Sequence, residues 1–218
     1  MDNQRAVIFV NGRLPSLKTV RKTLQPGDWL VAADGGLRYL QRLGLKPDIL
    51  VGDLDSVTAE DVEGLQRLGV RIERYPVNKD ETDLELALQL AIAEGFRSIR
   101  IAAALGGRLD QTLGNLFLLM SPTLAEYDVR LEDGRCEVFI IRKEAEIIGR
   151  AGDLVSLLPL SGPACGTWTE GLQYPLKGET LFQERTRGIS NVMIAGRAQA
   201  GLQKGMLLCI HTRKSSLN

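Results

Sequence analysis

The chain has 218 residues, with 27 Lys and Arg against 27 Asp and Glu and no formal net charge at pH 7. That balance argues against a general nucleic-acid or anionic-membrane role, because neither polyanion would meet an excess of positive charge. One histidine, His211, and three widely spaced cysteines, Cys136, Cys165 and Cys209, exclude a multi-histidine metal site, a zinc cluster and a disulfide framework, so the thiols are expected to be small buried groups.

In chain order, Met1-Asp2-Asn3-Gln4-Arg5 leads into an apolar run too short for a signal-peptide core or a membrane span, which points to a cytoplasmic protein. Apolar runs at 6–10, 29–33, 49–52, 71–75 and 98–103 then alternate with helical stretches, the pattern of a parallel sheet with covering helices. The clearest helix follows Asp80, with Leu84, Ala87, Leu88 and Ala91 at helical spacing. A second is predicted over 108–120, with Leu109, Leu113, Leu116, Phe117 and Met120 on one side. After Asp128 the spacing shortens to strands at 129–132, 137–142, 154–158, 192–198 and 207–211, separated by Gly, Pro and Ser as in a β-sandwich. The expected fold is α/β: an N-terminal Rossmann-like parallel-sheet domain over 1–125, followed by an all-β sandwich domain over 126–218.

Chemistry concentrates in four short acidic turns: Ala33-Asp34-Gly35-Gly36, Gly52-Asp53-Leu54-Asp55-Ser56, Asp80-Glu81-Thr82-Asp83 and Gly106-Gly107-Arg108-Leu109-Asp110. Each has a local reading. Asp55 or Ser56 can cap a helix beginning near Thr58, Thr82 to Glu85 fits a capping box, Asp110 can cap its own helix, and Asp34-Gly35-Gly36 can be a turn in which glycine supplies the positive dihedral. All four nevertheless follow predicted strands, which puts them at one carboxyl edge, where ligands of open α/β sheets bind. Asp53 and Asp55, two apart at an extended strand end, can reach one ion, and carboxylates suit a hard cation such as Mg²⁺. Lys79 and Arg108 stand beside the acids as phosphate partners, and the glycines at 35, 36, 106 and 107 allow close backbone approach to a phosphate. The P-loop and dinucleotide glycine signatures are missing.

The ordered set of motifs resembles the thiamine pyrophosphokinase family. The four turns, with Gln111 and Asn115 after the last, are joined by Thr169-Glu170-Gly171-Leu172-Gln173-Tyr174-Pro175-Leu176 and Arg187-Gly188-Ile189-Ser190-Asn191, so the resemblance covers nearly the whole chain. It implies Mg²⁺-dependent transfer of pyrophosphate from ATP to the thiamine hydroxyl, giving thiamine pyrophosphate and AMP, by a homodimer that holds thiamine between subunits. It also implies that Asp53, Asp55 and Asp83 hold the metal, that Asp34, Arg108, Asp110 and Gln111 line the ATP and reaction site, where Lys79 stands beside the acids, and that Ser190 and Asn191 belong to the thiamine pocket. Asp34 or Asp110 would accept or orient the hydroxyl proton. Two departures are visible: Val192 follows the Ser-Asn pair where an acid or amide is common, and Gln173 stands where lysine is frequent. Trp168 and Tyr174 are candidate faces for the cationic, aromatic thiamine, with core packing as the alternative for each ring. Rival readings are a pyrophosphokinase for another alcohol such as a hydroxymethyl pterin, a silent nucleotide sensor, and an Mg²⁺-dependent phosphohydrolase.

Overall fold

The apolar runs of the first half become strands β1 (Arg5–Phe9), β2 (Trp29–Ala33), β3 (Ile49–Gly52), β4 (Arg71–Arg74) and β5 (Ser98–Ala102) in the computed structural model, which describes residues 4–214. Met1, Asp2 and Asn3, read above as part of a non-signal opening, lie outside the described residues. The chain divides into two units, Met1–Gly134 and Arg135–Asn218.

In the first unit every strand pairing is parallel. Ala6, Ile8, Phe9, Val31, Ile49 and Leu50 are fully enclosed, which explains why these strands read as unbroken apolar runs: a parallel strand is covered on both faces. A sixth parallel strand, β6 (Asp128–Glu132), pairs with β5. The strand expected at 129–132 therefore forms and pairs in parallel with β5, and the division between units falls after Gly134, where 125 was expected. Across this unit the order is β6-β5-β1-β2-β3-β4, so the chain builds outward from β1 to β4 and then returns to the other side of β1. The reversal of order falls between β1 and β5.

Helices α1 (Leu17–Arg21), α2 (Leu37–Leu43), α3 (Ala59–Arg67), α4 (Asp83–Ala93) and α5 (Leu109–Leu118) connect the strands. The cap of α3 is Thr58, whose hydroxyl accepts from the Asp61 N–H, rather than Asp55 or Ser56. Thr82 caps α4 as expected, accepting from the Glu85 N–H, and Leu84, Ala87, Leu88 and Ala91 are buried. α5 has the predicted periodicity, and its apolar side is largely uncovered, with Leu109, Leu113 and Phe117 72%, 42% and 58% exposed. Among the described residues no helix is long and apolar enough to cross a membrane.

The second unit contains β7 (Cys136–Ile141), β8 (Glu144–Ile148), β9 (Leu154–Pro159), β10 (Ala164–Glu170), β11 (Lys177–Leu181), β12 (Asn191–Val192), β13 (Arg197–Gly201) and β14 (Leu207–Thr212). They pair antiparallel in the orders β12-β9-β14-β7 and β11-β10-β13-β8. Phe139, Ile141, Val155, Leu157, Leu181 and Met193 belong to its core. The single strand expected at 192–198 is broken into β12 and β13, because Met193 and Ile194 donate their backbone N–H groups to Asp153 and Gly171 instead of continuing the ladder. Of the three thiols, only Cys209 is buried; Cys136 and Cys165 are partly exposed, contrary to the expectation for them, and none of the three is in a disulfide.

His211, fully enclosed, places Nε2 3.0 Å from Asp153 Oδ2. Asp153 also accepts the backbone N–H groups of Arg150 at 2.9 Å and Lys214 at 2.8 Å. Burial works to raise the Asp153 carboxyl, but these donors and His211 outweigh it and hold the group below its ordinary value. A carboxyl depressed in the folded state contributes stability above its unfolded value of about 4, and that contribution is lost as pH falls through the folded value. Asp153→Asn is therefore expected to cost about 1–3 kcal/mol near neutrality, with the deficit shrinking below about pH 4. Urea unfolding across pH checks this. A deficit unchanged at low pH would mean that the ionised form is not what stabilises.

Candidate active site

In the first unit, non-glycine residues with positive φ gather at the carboxyl ends of the strands: Asp34 (45°) after β2, Leu54 (66°) after β3 and Ala103 (63°) after β5. A left-handed conformation costs an L-residue about 1–2 kcal/mol, so three at one edge mark a region shaped for something other than stability. The positive dihedral expected of Gly35 and Gly36 is thus carried by Asp34. The glycines serve close packing instead: a Cβ on Gly36 would lie 1.9 Å from the Phe9 carbonyl oxygen, and one on Gly35 would lie 2.5 Å from the Asn11 side chain.

This turn brings Asp34, buried with 6% exposure, beside Asp53 at the end of β3 and Asp83 in the first turn of α4. One oxygen from each lies within 4.8 Å of the others. Gly52 makes the convergence possible. Its φ of +144° disfavours any side chain, and a Cβ there would lie 3.1 Å from Asp34 Cβ and 3.2 Å from Asp83 Oδ1. Like charges this close repel one another, and a cation among them would offset that repulsion. The Lys79 ammonium lies 2.8 Å from Asp83 Oδ1 and 3.9 Å from Asp53 Oδ2, so the arrangement already accommodates positive charge. Hard oxygen donors around such a point fit Mg²⁺.

Asp55 and Asp110 stand outside the trio. Asp55 is exposed and its carboxylate bonds to Ser56 Oγ at 3.0 Å, while its backbone N–H donates to Asp53 Oδ1. Asp110 is engaged by Arg108 at 2.5 Å, with both side chains largely exposed. The Arg108 guanidinium, helped by the Gln111 backbone N–H, holds the Asp110 carboxyl below its ordinary value, and the same pair raises Arg108.

A cavity of about 660 Å³ opens over the trio, lined among others by Lys79, Arg108 and Gln111. Asn11, Gly12, Arg13, Arg38 and Tyr39, which none of the motifs singled out, line it too. The available signal was positional: Asn11-Gly12-Arg13 directly follows the first apolar run, in the same place relative to a strand as the acidic turns.

In the second unit, Asn191 is buried and its amide clamps the Tyr174 backbone, with Oδ1 accepting from Tyr174 N at 3.0 Å and Nδ2 donating to Tyr174 O at 2.7 Å. Ser190, adjacent, is exposed and has a φ of 56°. Its backbone N–H donates to Ser156 Oγ at 3.0 Å. The clamp brings the segment of Tyr174, a residue 58% exposed, beside Ser190. Trp168 instead packs on its cross-strand neighbour Gly201, where an added Cβ would lie 2.6 Å from the indole.

Residues 20–131 match the family model described as the thiamin pyrophosphokinase catalytic domain, and residues 138–207 match that of the thiamin pyrophosphokinase vitamin B1 binding domain. Thiamine pyrophosphokinase of Bacillus subtilis is 28% identical over 184 residues, covering 84% of this chain and 86% of that protein. Thiamine pyrophosphokinase 3 of Oryza sativa subsp. japonica is 30% identical over 215 residues, covering 86% of this chain and 79% of its own length. The crystal structure of the Bacillus subtilis enzyme superimposes with a TM-score of 0.85 at 25% identity, covering 98% of this chain and all of that one.

Proposed function

The chain belongs to the thiamin pyrophosphokinase family, and on that premise we propose that it transfers the pyrophosphoryl group of ATP to the hydroxyl of thiamine, releasing AMP. The observation that carries this reading is the convergence of Asp34, Asp53 and Asp83 at the mouth of a cavity that also holds Lys79 and Arg108. Three carboxylates with two cations suit a triphosphate and its counter-ion.

ATP binds in this cavity, with Lys79 and Arg108 directed to phosphate oxygens and Gln111 donating hydrogen bonds. Mg²⁺ held by Asp34, Asp53 and Asp83, with Asp55 beside them, would supply positive charge against the phosphate oxygens. The thiamine hydroxyl oxygen bonds to the β-phosphorus as the bond from that phosphorus to the AMP oxygen breaks. Its proton passes to a cavity carboxylate. Asp34 lines the cavity whereas Asp110 is occupied by Arg108, which favours Asp34. Lys79 and Arg108, fixed before reaction, oppose the charge that grows on the transferred group.

Thiamine binding is assigned to the second unit, through the exposed Tyr174 and the Ser190 hydroxyl, with Asn191 holding their segments together. Ser190→Ala is expected to raise the KM for thiamine about fivefold while leaving the KM for ATP unchanged. Steady-state titration of each substrate decides it, and equal rises for both would contradict the assignment. We also infer a homodimer, supported by the exposed apolar stripe of α5, and a reducing cytoplasmic setting, supported by cysteines that form no disulfide.

The direct test supplies purified protein with ATP, Mg²⁺ and thiamine and measures AMP and thiamine pyrophosphate together. Equal molar formation of both is expected. Phosphate release without thiamine, or ATP binding with no turnover, would overturn the reading in favour of a hydrolase or a sensor.

A further inference from the structure

The loop leaving β1 is gripped by the first turn of α2. Arg38 Nη2 shares its hydrogens among Asn11 O at 3.0 Å, Gly12 O at 2.9 Å and Tyr39 Oη at 3.0 Å. Tyr39, buried, donates its hydroxyl to the same Gly12 carbonyl, and the Arg38 guanidinium carbon lies 4.7 Å from the Tyr39 ring centroid. On its other side the loop presses on the chain leaving β5. Val10 N donates to Ala102 O at 3.1 Å, Arg13 N donates to Gly106 O at 3.2 Å, and a Cβ on Gly12 would lie 2.0 Å from Ala103 O. The loop thus sits where strand order reverses between β1 and β5, the crevice in which open α/β sheets take ligands. Arg13 lines the same cavity as Lys79 and Arg108, is exposed, and its guanidinium makes no hydrogen bond or ion pair among the described residues.

We propose that Arg38 is a positioning residue for the nucleotide, gripping the Asn11 and Gly12 carbonyls so that Arg13 is held as a further cation for the triphosphate. A free loop would have to be ordered on binding, at an entropic cost that a preformed one avoids. A guanidinium suits this task because one terminal nitrogen carries two hydrogens for the two carbonyls while the delocalised plane lies over the Tyr39 ring, where an ammonium is a strongly hydrated point charge on a flexible stem. The inference rests on the reading of this cavity as the ATP site.

Arg38→Ala, Arg38→Lys, Arg13→Ala and the double alanine variant are compared with the unaltered protein by steady-state kinetics, thermal unfolding and calorimetric titration with ATP. Arg38→Ala is expected to raise the KM for ATP about tenfold, with kcat and the KM for thiamine within about twofold, and Arg38→Lys to recover part of the loss. Arg13→Ala should reproduce the effect, and the double variant should be no worse than the poorer single, because one residue acts through the other. An unchanged KM for ATP in Arg38→Ala, multiplication of the two single effects in the double variant, or a joint rise in both KM values with a lowered Tm would each overturn the inference. If the unaltered protein binds ATP but makes no thiamine pyrophosphate, the proposed reaction fails, while weaker ATP binding by Arg38→Ala would still support the positioning role.

Discussion

Asp53→Asn is expected to lower kcat/KM by at least about 10³-fold while leaving the protein folded. Asp53 ends β3, directly after Gly52, and one of its oxygens shares a 4.8 Å neighbourhood with Asp34 and Asp83. An amide keeps the shape but removes the charge that balances a divalent ion and opposes Lys79. The fold should survive because carboxylates this close repel one another, so neutralising one relieves strain in the unliganded protein. The Tm is expected to stay within about 2 °C of the unaltered protein or to rise. Turnover within tenfold of normal would remove Asp53 from the metal site. Asp55→Asn sharpens the assignment: a loss matching that of Asp53→Asn makes the exposed carboxylate a partner in holding the ion, and a loss under about tenfold leaves it outside.

Gly36→Ala is expected to destabilise the first unit by more than about 3 kcal/mol, enough to prevent recovery of soluble protein. The added methyl would lie 1.9 Å from the Phe9 carbonyl oxygen and 2.5 Å from its carbon. Phe9 cannot yield, since β1 is paired with β2 on one side and β5 on the other and the residue is fully enclosed. Backbone strain is not the cause, because Gly36 has an ordinary helical φ of −60°. Gly64→Ala is the control. Gly64 lies within α3 with nothing within 4 Å of a Cβ, and alanine there should stabilise by about 0.5–1 kcal/mol. Chemical denaturation of both variants makes the comparison, and a Gly36→Ala protein as stable as its parent would refute the packing argument.

The strands most readily recognised in the sequence are those whose burial leaves no alternation to misread. β1, β2 and β3 are enclosed along most of their length, so each appears as an apolar run ended by a turn. The strands not anticipated, β8, β10 and β11, all belong to one sheet of the second unit. β11 reads Lys-Gly-Glu-Thr-Leu and buries only Leu181, so little in its composition separates it from a loop. β10 carries Gly166 in its interior and shifts register against β11, which disguises its alternation. α5 shows the reverse problem: Leu109, Leu113 and Phe117 have helical spacing, which predicts the helix correctly but says nothing about which surface covers that face.

Thr82 as the cap of α4, Asp53 at the end of β3 and Asp34 at the end of β2 could all be located from the order of residues alone, because caps, turns and strand ends depend on neighbours a few positions away. Which side chains meet depended on the tertiary structure. The adjacency of β2 and β3, the entry of α4 beside them and the space left by Gly52 join Asp34 to Asp53 and Asp83, while Asp110 is taken by Arg108. The same applies to Arg38 and the Asn11 to Arg13 loop, brought together across the start of α2. Strand order and helix placement emerge from burying apolar surface across the whole unit, so contacts between residues distant in sequence are decided by that packing and leave no mark on the local pattern.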